Sequence, residues 1–78
     1  MPRTMSHRRE RLAKLLRQIR AEAGLRQVDL AKKLDQPQSY VSRFESGEQR
    51  LDLIELETIC AALKISLGEL VDRFEDGR

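Results

Sequence analysis

Cysteine is almost missing from this chain. Cys60 stands alone among 78 residues, which excludes an internal disulfide framework and a cluster of thiolate metal ligands, and points to a reducing compartment. Histidine is equally scarce, with His7 the single example, so no metal site is expected and no cofactor is called for. Long apolar runs are lacking too. The longest, Ile59 to Leu63, falls far short of the roughly 20 residues that a membrane span requires, and nothing in residues 1–9 reads as a secretion signal. A cytoplasmic protein with no membrane contact is the expectation. No hydroxyl, thiol or carboxylate stands in a recognisable pairing with a base or metal ligand, so catalysis has no foothold. The chain is also short. It has room for one domain, with a core that contributes about 3–5 kcal/mol, and self-association is therefore expected.

What is present is charge, sorted along the chain. The formal net charge is only +2, yet Arg3, Arg8, Arg9, Arg11, Lys14, Arg17 and Arg20 face only Glu10 in the first twenty residues. Beyond residue 50 the balance reverses, with Asp52, Glu55, Glu57, Glu69, Asp72, Glu75 and Asp76 against Lys64, Arg73 and Arg78. Such sorting suits a molecule that meets a polyanion with one face and turns the other away, although a solvated helix followed by an acidic tail gives the same pattern.

The apolar residues repeat at helical spacing. Residues 1–7 show no such period and read as a flexible arm, leaving residues 8–76 as the folded domain. Leu12, Leu15, Leu16, Ile19 and Ala23 form the stripe of a first helix that Gly24 ends in a left-handed cap. A second helix is expected from Gln27 to Leu34, burying Val28, Leu30, Ala31 and Leu34. Pro37 then breaks the pattern and pushes Gln36 into an extended conformation, while its fixed φ suits the start of a third helix from Gln38 to Ser46, with Val41 and Phe44 inside. Asp52 with Glu55 and Ser66 with Glu69 have capping-box spacing. They open a fourth helix, with Leu53, Leu56, Ile59, Cys60 and Leu63 toward one side, and a fifth carrying Leu67, Leu70, Val71 and Phe74. The fold class expected is all-α, a compact five-helix domain.

Two short helices joined by a few residues, with small Ala31 at their crossing, are the pattern of a DNA-reading unit, but other helix pairs share it. The string LRQVDLAKKLDQPQSYVSRFESG, from Leu25 to Gly47, followed by a capped helix ending in ALKISLGEL, is more particular. It resembles the phage-repressor-like helix-turn-helix family, the Cro/CI or XRE group, over roughly Leu12 to Val71. The resemblance implies a lambda-repressor-like fold, double-stranded DNA as partner and transcription regulation as function. Asp35 departs from the family's turn glycine and Pro37 from its usual Ser or Thr cap. Asp visits the left-handed region and Pro accepts the angles of a cap, so both are compatible with the turn. Arg26 replaces another Ser or Thr cap, worth about 1 kcal/mol, and adds a candidate phosphate contact.

A recognition helix meets base edges with its N-terminal residues, which makes Gln38, Ser39, Ser42 and Arg43 the candidate readers. Gln pairs with adenine through N6 and N7, and Arg with guanine through O6 and N7. The candidate backbone contacts are Arg26, Gln27, Tyr40, Gln49 and Arg50, Gln27 because it opens a helix where amide protons favour an anion, while Tyr40 either reaches a phosphate or packs on the rim. The resemblance also implies that Gln27 braces Gln38 and that Arg20 and Glu45 form a partly buried ion pair. Lys32 and Lys33 are solubilising by default, and His7 is incidental. Arg3, Arg8 and Arg9 make either an arm that touches DNA or a plain basic terminus. Cys60 is expected as a small buried apolar side chain.

One short helix reads too few base pairs to find a genomic site alone. A homodimer on a pseudo-palindromic operator is therefore expected, joined through Ile65, Leu67, Leu70 and Phe74. An antitoxin or a restriction-modification controller shares the mechanism, and no small-molecule effector is implied. A protein-binding adaptor that has lost DNA binding, and a membrane-surface role for the first helix, are the rivals from other classes.

Overall fold

The computed structural model describes residues 3–76, in which five helices and no strands occur. They are α1 (Arg3–Glu22), α2 (Gln27–Leu34), α3 (Gln38–Ser46), α4 (Leu53–Ala62) and α5 (Leu67–Asp76). α1 packs on α3 and α5, α2 on α3 and α4, and α4 on α5. One core results, built from Leu16, Ile19, Leu30, Ala31, Val41, Phe44, Ile59, Cys60, Leu63 and Leu70. Every helix supplies at least one of these residues.

α1 buries Ala13, Leu16 and Ile19 along one face, with Leu12 and Leu15 half-buried beside them. Ala23 lies just past the helix and is exposed. Gly24 takes φ +74°, the left-handed conformation expected of the cap. Within the segment expected as an arm, α1 already begins at Arg3 and runs through the boundary placed at residue 8. Residues 3–7 contain neither glycine nor proline, so each adds a helical hydrogen bond at little cost once the helix exists. Packing holds the turn that follows. The Arg8 and Arg11 guanidinium carbons lie 4.9 and 4.6 Å from the centre of the Phe74 ring, and Arg11 also donates to the Phe74 carbonyl. Met1 and Pro2 lie outside the described residues.

The capping box of α4 is complete, and α5 has its N-cap bond. The Asp52 carboxylate accepts from the Glu55 amide at 2.8 Å while Glu55 Oε1 accepts from the Asp52 amide at 3.1 Å, and Ser66 Oγ accepts from the Glu69 amide at 2.9 Å. Asp52→Ala removes one of these partners, and a loss of about 1 kcal/mol is expected. Thermal unfolding followed by circular dichroism should show a midpoint lower by about 4–8 °C. An unchanged midpoint would mean that the α4 terminus is held by packing alone. Between α4 and α5, Lys64 adopts φ 63° with no sequence signal for it. The cap is completed by the Ile65 amide donating to the Cys60 carbonyl at 3.0 Å.

Leu53 does not lie on the inner side of α4. It is 62% exposed, next to Ile54 at 66%, and burial deepens along the helix only at Ile59 and Cys60. The first turn of α4 lies beyond the edge of the core.

Candidate nucleic-acid interface

α2 and α3 are joined by three residues. Asp35 caps α2 at φ 54° and ψ 45°, and the Gln36 amide donates to the Ala31 carbonyl at 3.0 Å. Pro37, at φ −67° and ψ 156°, then turns the chain so that the Tyr40 amide reaches the Pro37 carbonyl at 3.0 Å. Burial of Leu30, Ala31, Val41 and Phe44 fixes one helix against the other. Ala31 at the crossing has the small side chain a close approach needs.

With Val41 and Phe44 inward, the remaining arc of α3 points away from the core. Gln38, Ser39, Ser42 and Arg43 all lie on that arc and all are exposed. Their spacing of one, four and five residues from Gln38 places them on a single helical face.

A polar chain runs from the core to this face. Arg20 of α1 donates through Nε to Glu45 Oε2 at 2.6 Å and through Nη2 to Oε1 at 3.0 Å, a bidentate pair whose side chains are 13% and 2% exposed. Its Nη1 meets the Leu25 carbonyl at 2.7 Å. Gln27 Nε2 donates to the same Glu45 Oε1 at 3.1 Å, and Gln38 Nε2 donates to Gln27 Oε1 at 3.4 Å. Glu45 is the buried charged residue among those described, and none of their buried side-chain polar atoms lacks a partner. A desolvated carboxylate is thus satisfied on both oxygens, and the donors it holds carry order outward to an exposed amide.

The surrounding candidates separate. Arg26 is exposed, but its guanidinium binds Asp29 at 3.0 Å, and the Asp29 carboxylate also accepts from the Arg26 amide at 2.8 Å. Asp29 thereby satisfies the amide of the residue that precedes α2, the reciprocal half of a capping box. The Arg26 side chain, followed by its amide, holds the Asp29 carboxyl down to about 2. Gln27 is half-buried within the polar chain. Tyr40 faces α4, where its hydroxyl donates to Glu55 Oε2 at 2.8 Å and its ring meets Phe44 edge-on at 5.5 Å. Burial first, and the Glu55 carboxylate second, push that phenol up to about 12, so it remains a neutral donor already committed to Glu55. Half-buried Gln49 and exposed Arg50 occupy the loop after α3.

Of the residues expected at a dimer interface, Ile65, Leu67 and Phe74 are half-buried. Leu70 is 2% exposed and belongs to the core, so it supplies a floor and not a surface. The apolar surface is offered by Leu53 and by Val71, which is 45% exposed. These two were missed as surface. One signal was legible, since α4 carries more apolar residues than one buried face requires. Together with Leu12, Leu56, Leu67 and Phe74 they line an apolar groove of about 150 Å³ between α1, α4 and α5.

An exposed helix that begins after a three-residue turn, braced from behind by a buried ion pair and set in a five-helix core, defines a DNA-binding regulator of the helix-turn-helix class. The chain belongs to the helix-turn-helix family, whose profile matches residues 16–70, and within it to the XRE group. It is 35% identical over 66 residues to the control protein C.MunI of Mycoplasma sp, an alignment that covers 83% of this chain and 89% of that protein. Among solved structures it superposes on an XRE-family like protein from Pseudomonas syringae pv. tomato with a TM-score of 0.85 and 36% identity, covering 94% and 89% of the two chains. The restriction-modification controller protein C.Esp1396I, solved as a tetramer with its natural 35 base-pair operator, superposes with a TM-score of 0.82 at 26% identity, covering 88% and 91%. No helix among the described residues is long and apolar enough to cross a membrane.

Proposed function

We propose that this protein regulates transcription by binding a pseudo-palindromic operator as a homodimer in the cytoplasm, without a catalytic step. Gln38, Ser39, Ser42 and Arg43 read base edges, and Gln49 and Arg50 grip the backbone beside them. The observation that carries this reading is the Arg20, Glu45, Gln27 and Gln38 chain. It holds an exposed amide at the start of an exposed helix, with one Nε2 proton engaged and with Oε1 and the second proton left to pair with adenine N6 and N7. A solvated helix has no use for such bracing. Likeness to the control protein C.MunI and to C.Esp1396I favours one kind of regulator, a restriction-modification controller. A restriction-modification gene pair beside its gene is then expected.

Selection of bound sequences from a random duplex pool tests the reading. A symmetric site is expected, with half-sites about 34–36 Å apart. Recovery of no preferred sequence would remove the proposal. Reading and grip should then separate by substitution. Arg43→Ala should cost about 1–3 kcal/mol at one base pair of each half-site and little on unrelated duplex. Arg50→Ala should weaken binding to every sequence alike and lower the slope of log K against log salt by roughly one. Equal losses on matched and unrelated DNA for Arg43→Ala would move Arg43 into the gripping set.

A further inference from the structure

The arginine run at the start of α1 is not accounted for by the reading face. The structure gives its members different surroundings. Arg8 and Arg11 lie over the ring of Phe74 at the far end of α5. Arg9 lines a different feature, a cleft of about 180 Å³ between α1 and the loop that follows α3. Leu12, Ala13 and Leu16 form its α1 wall and Gly47, Gln49, Arg50 and Leu51 its loop wall, with Phe44 beneath.

Depth within the cleft is ordered by chemistry. Ala13, Leu16 and Phe44 are 5% or less exposed and make an apolar floor, whereas Arg9 is half-buried, Gln49 half-buried and Arg50 exposed. The space is smaller than the roughly 300–1,000 Å³ of an enclosed ligand site. Cationic and amide groups above an apolar floor suit a chain of alternating phosphates and sugars laid across the opening, the sugar against the leucines and the phosphate between the two guanidinium groups. The loop wall belongs to the segment that leaves the C-terminal end of the candidate recognition helix.

We infer that Arg9 and Arg50, with Gln49, form one backbone clamp on duplex DNA, so that α1 grips the operator as well as bracing the recognition helix through Arg20. The inference rests on the operator-binding reading above. It assigns a DNA contact to a helix outside the helix-turn-helix unit, and it divides the basic run of α1 by geometry, since Arg9 lines the cleft while Arg8 is seated on Phe74.

The test is binding of the full chain to its selected duplex and to an unrelated duplex across a salt series, with folding of each variant checked by circular dichroism. Arg9→Gln should lower affinity by the same factor on both duplexes, with the slope of log K against log salt reduced by about one, and Arg9→Gln with Arg50→Gln should reduce it by about two. Arg9→Lys should keep the wild-type slope, and so should Arg8→Gln. A folded Arg9→Gln variant with the wild-type slope would overturn the clamp. So would an equal reduction from Arg8→Gln, which would mean diffuse attraction along α1 in place of a site. Failure of the wild-type protein to prefer any duplex would instead overturn the operator-binding reading itself.

Discussion

Glu45→Ala is expected to lower the stability of the domain by about 3–5 kcal/mol, the cost of leaving one member of a buried ion pair without its partner. Arg20 would keep only its bond to the Leu25 carbonyl while its side chain stays 13% exposed, and Gln27 would lose the acceptor that orients it. A core of this size supplies about as much free energy as the substitution removes, so a large fraction of the variant, about half, should be unfolded at room temperature. Thermal and urea unfolding followed by circular dichroism measure this, and an unchanged midpoint would show that the pair is not holding α1 to α3. Replacing both partners, as Arg20→Met with Glu45→Leu, should recover most of the stability, because two apolar groups leave no charge to desolvate. DNA reading should not recover with it. Gln27 would still lack its acceptor, so the double variant should fold yet lose base preference where Gln38 reads. A double variant with the wild-type site preference would separate the ion pair from recognition and confine it to stability.

Val71→Asp should convert a dimer into a monomer and lower affinity for a two-half-site operator by roughly 10²–10⁴, the range over which linked binding sites gain from each other. Val71 and Leu53 are 45% and 62% exposed beside half-buried Leu67 and Phe74, and an apolar groove between three helices is costly to leave in water. A second copy related by a two-fold axis would meet the same residues and bury both grooves at once. A carboxylate placed there would be paired with its own image. Sedimentation of the wild-type and variant chains, with binding to duplexes that carry one or two half-sites, separates the possibilities. Val71→Asp should leave affinity for a single half-site unaltered. A wild-type chain that sediments as a monomer both free and on its two-half-site duplex would remove the dimer, and a variant that still pairs would place the interface elsewhere.

Much of the reading face was legible in residue order. Asp35, Pro37 and Gly47 punctuate the chain where α2 ends, α3 begins and α3 ends, because a left-handed cap, a fixed φ and a positive φ are local properties of those residues. The apolar period of α3 places Val41 and Phe44 inward, which leaves Gln38, Ser39, Ser42 and Arg43 outward by geometry alone. The Arg20 and Glu45 pair was reached through family likeness and not through any local signal, since partners 25 residues apart have no period in common.

Periodicity failed where the outcome depends on a neighbouring element. Residues 3–7 carry no apolar stripe, yet they sit in a helix whose next turn is held by Arg8 and Arg11 on Phe74, a contact spanning 63 residues for Arg11. Tyr40 and Arg26 are polar residues beside the reading face, but Glu55 of α4 and Asp29 of α2 engage them. Leu70 and Val71 are consecutive apolar residues of α5, and Leu53 heads the apolar stripe of α4. Leu70 entered the core while Val71 and Leu53 were left in water. Residue order therefore determined the five helices, the turn between α2 and α3, and the face of α3 that is polar, all set by spacings within a few residues. The packing of α1 and α4 against α5 decided the groove and the length of α1, because a repeat along one helix states which residues share a side and only the crossing of a second helix states how far along that side the cover extends.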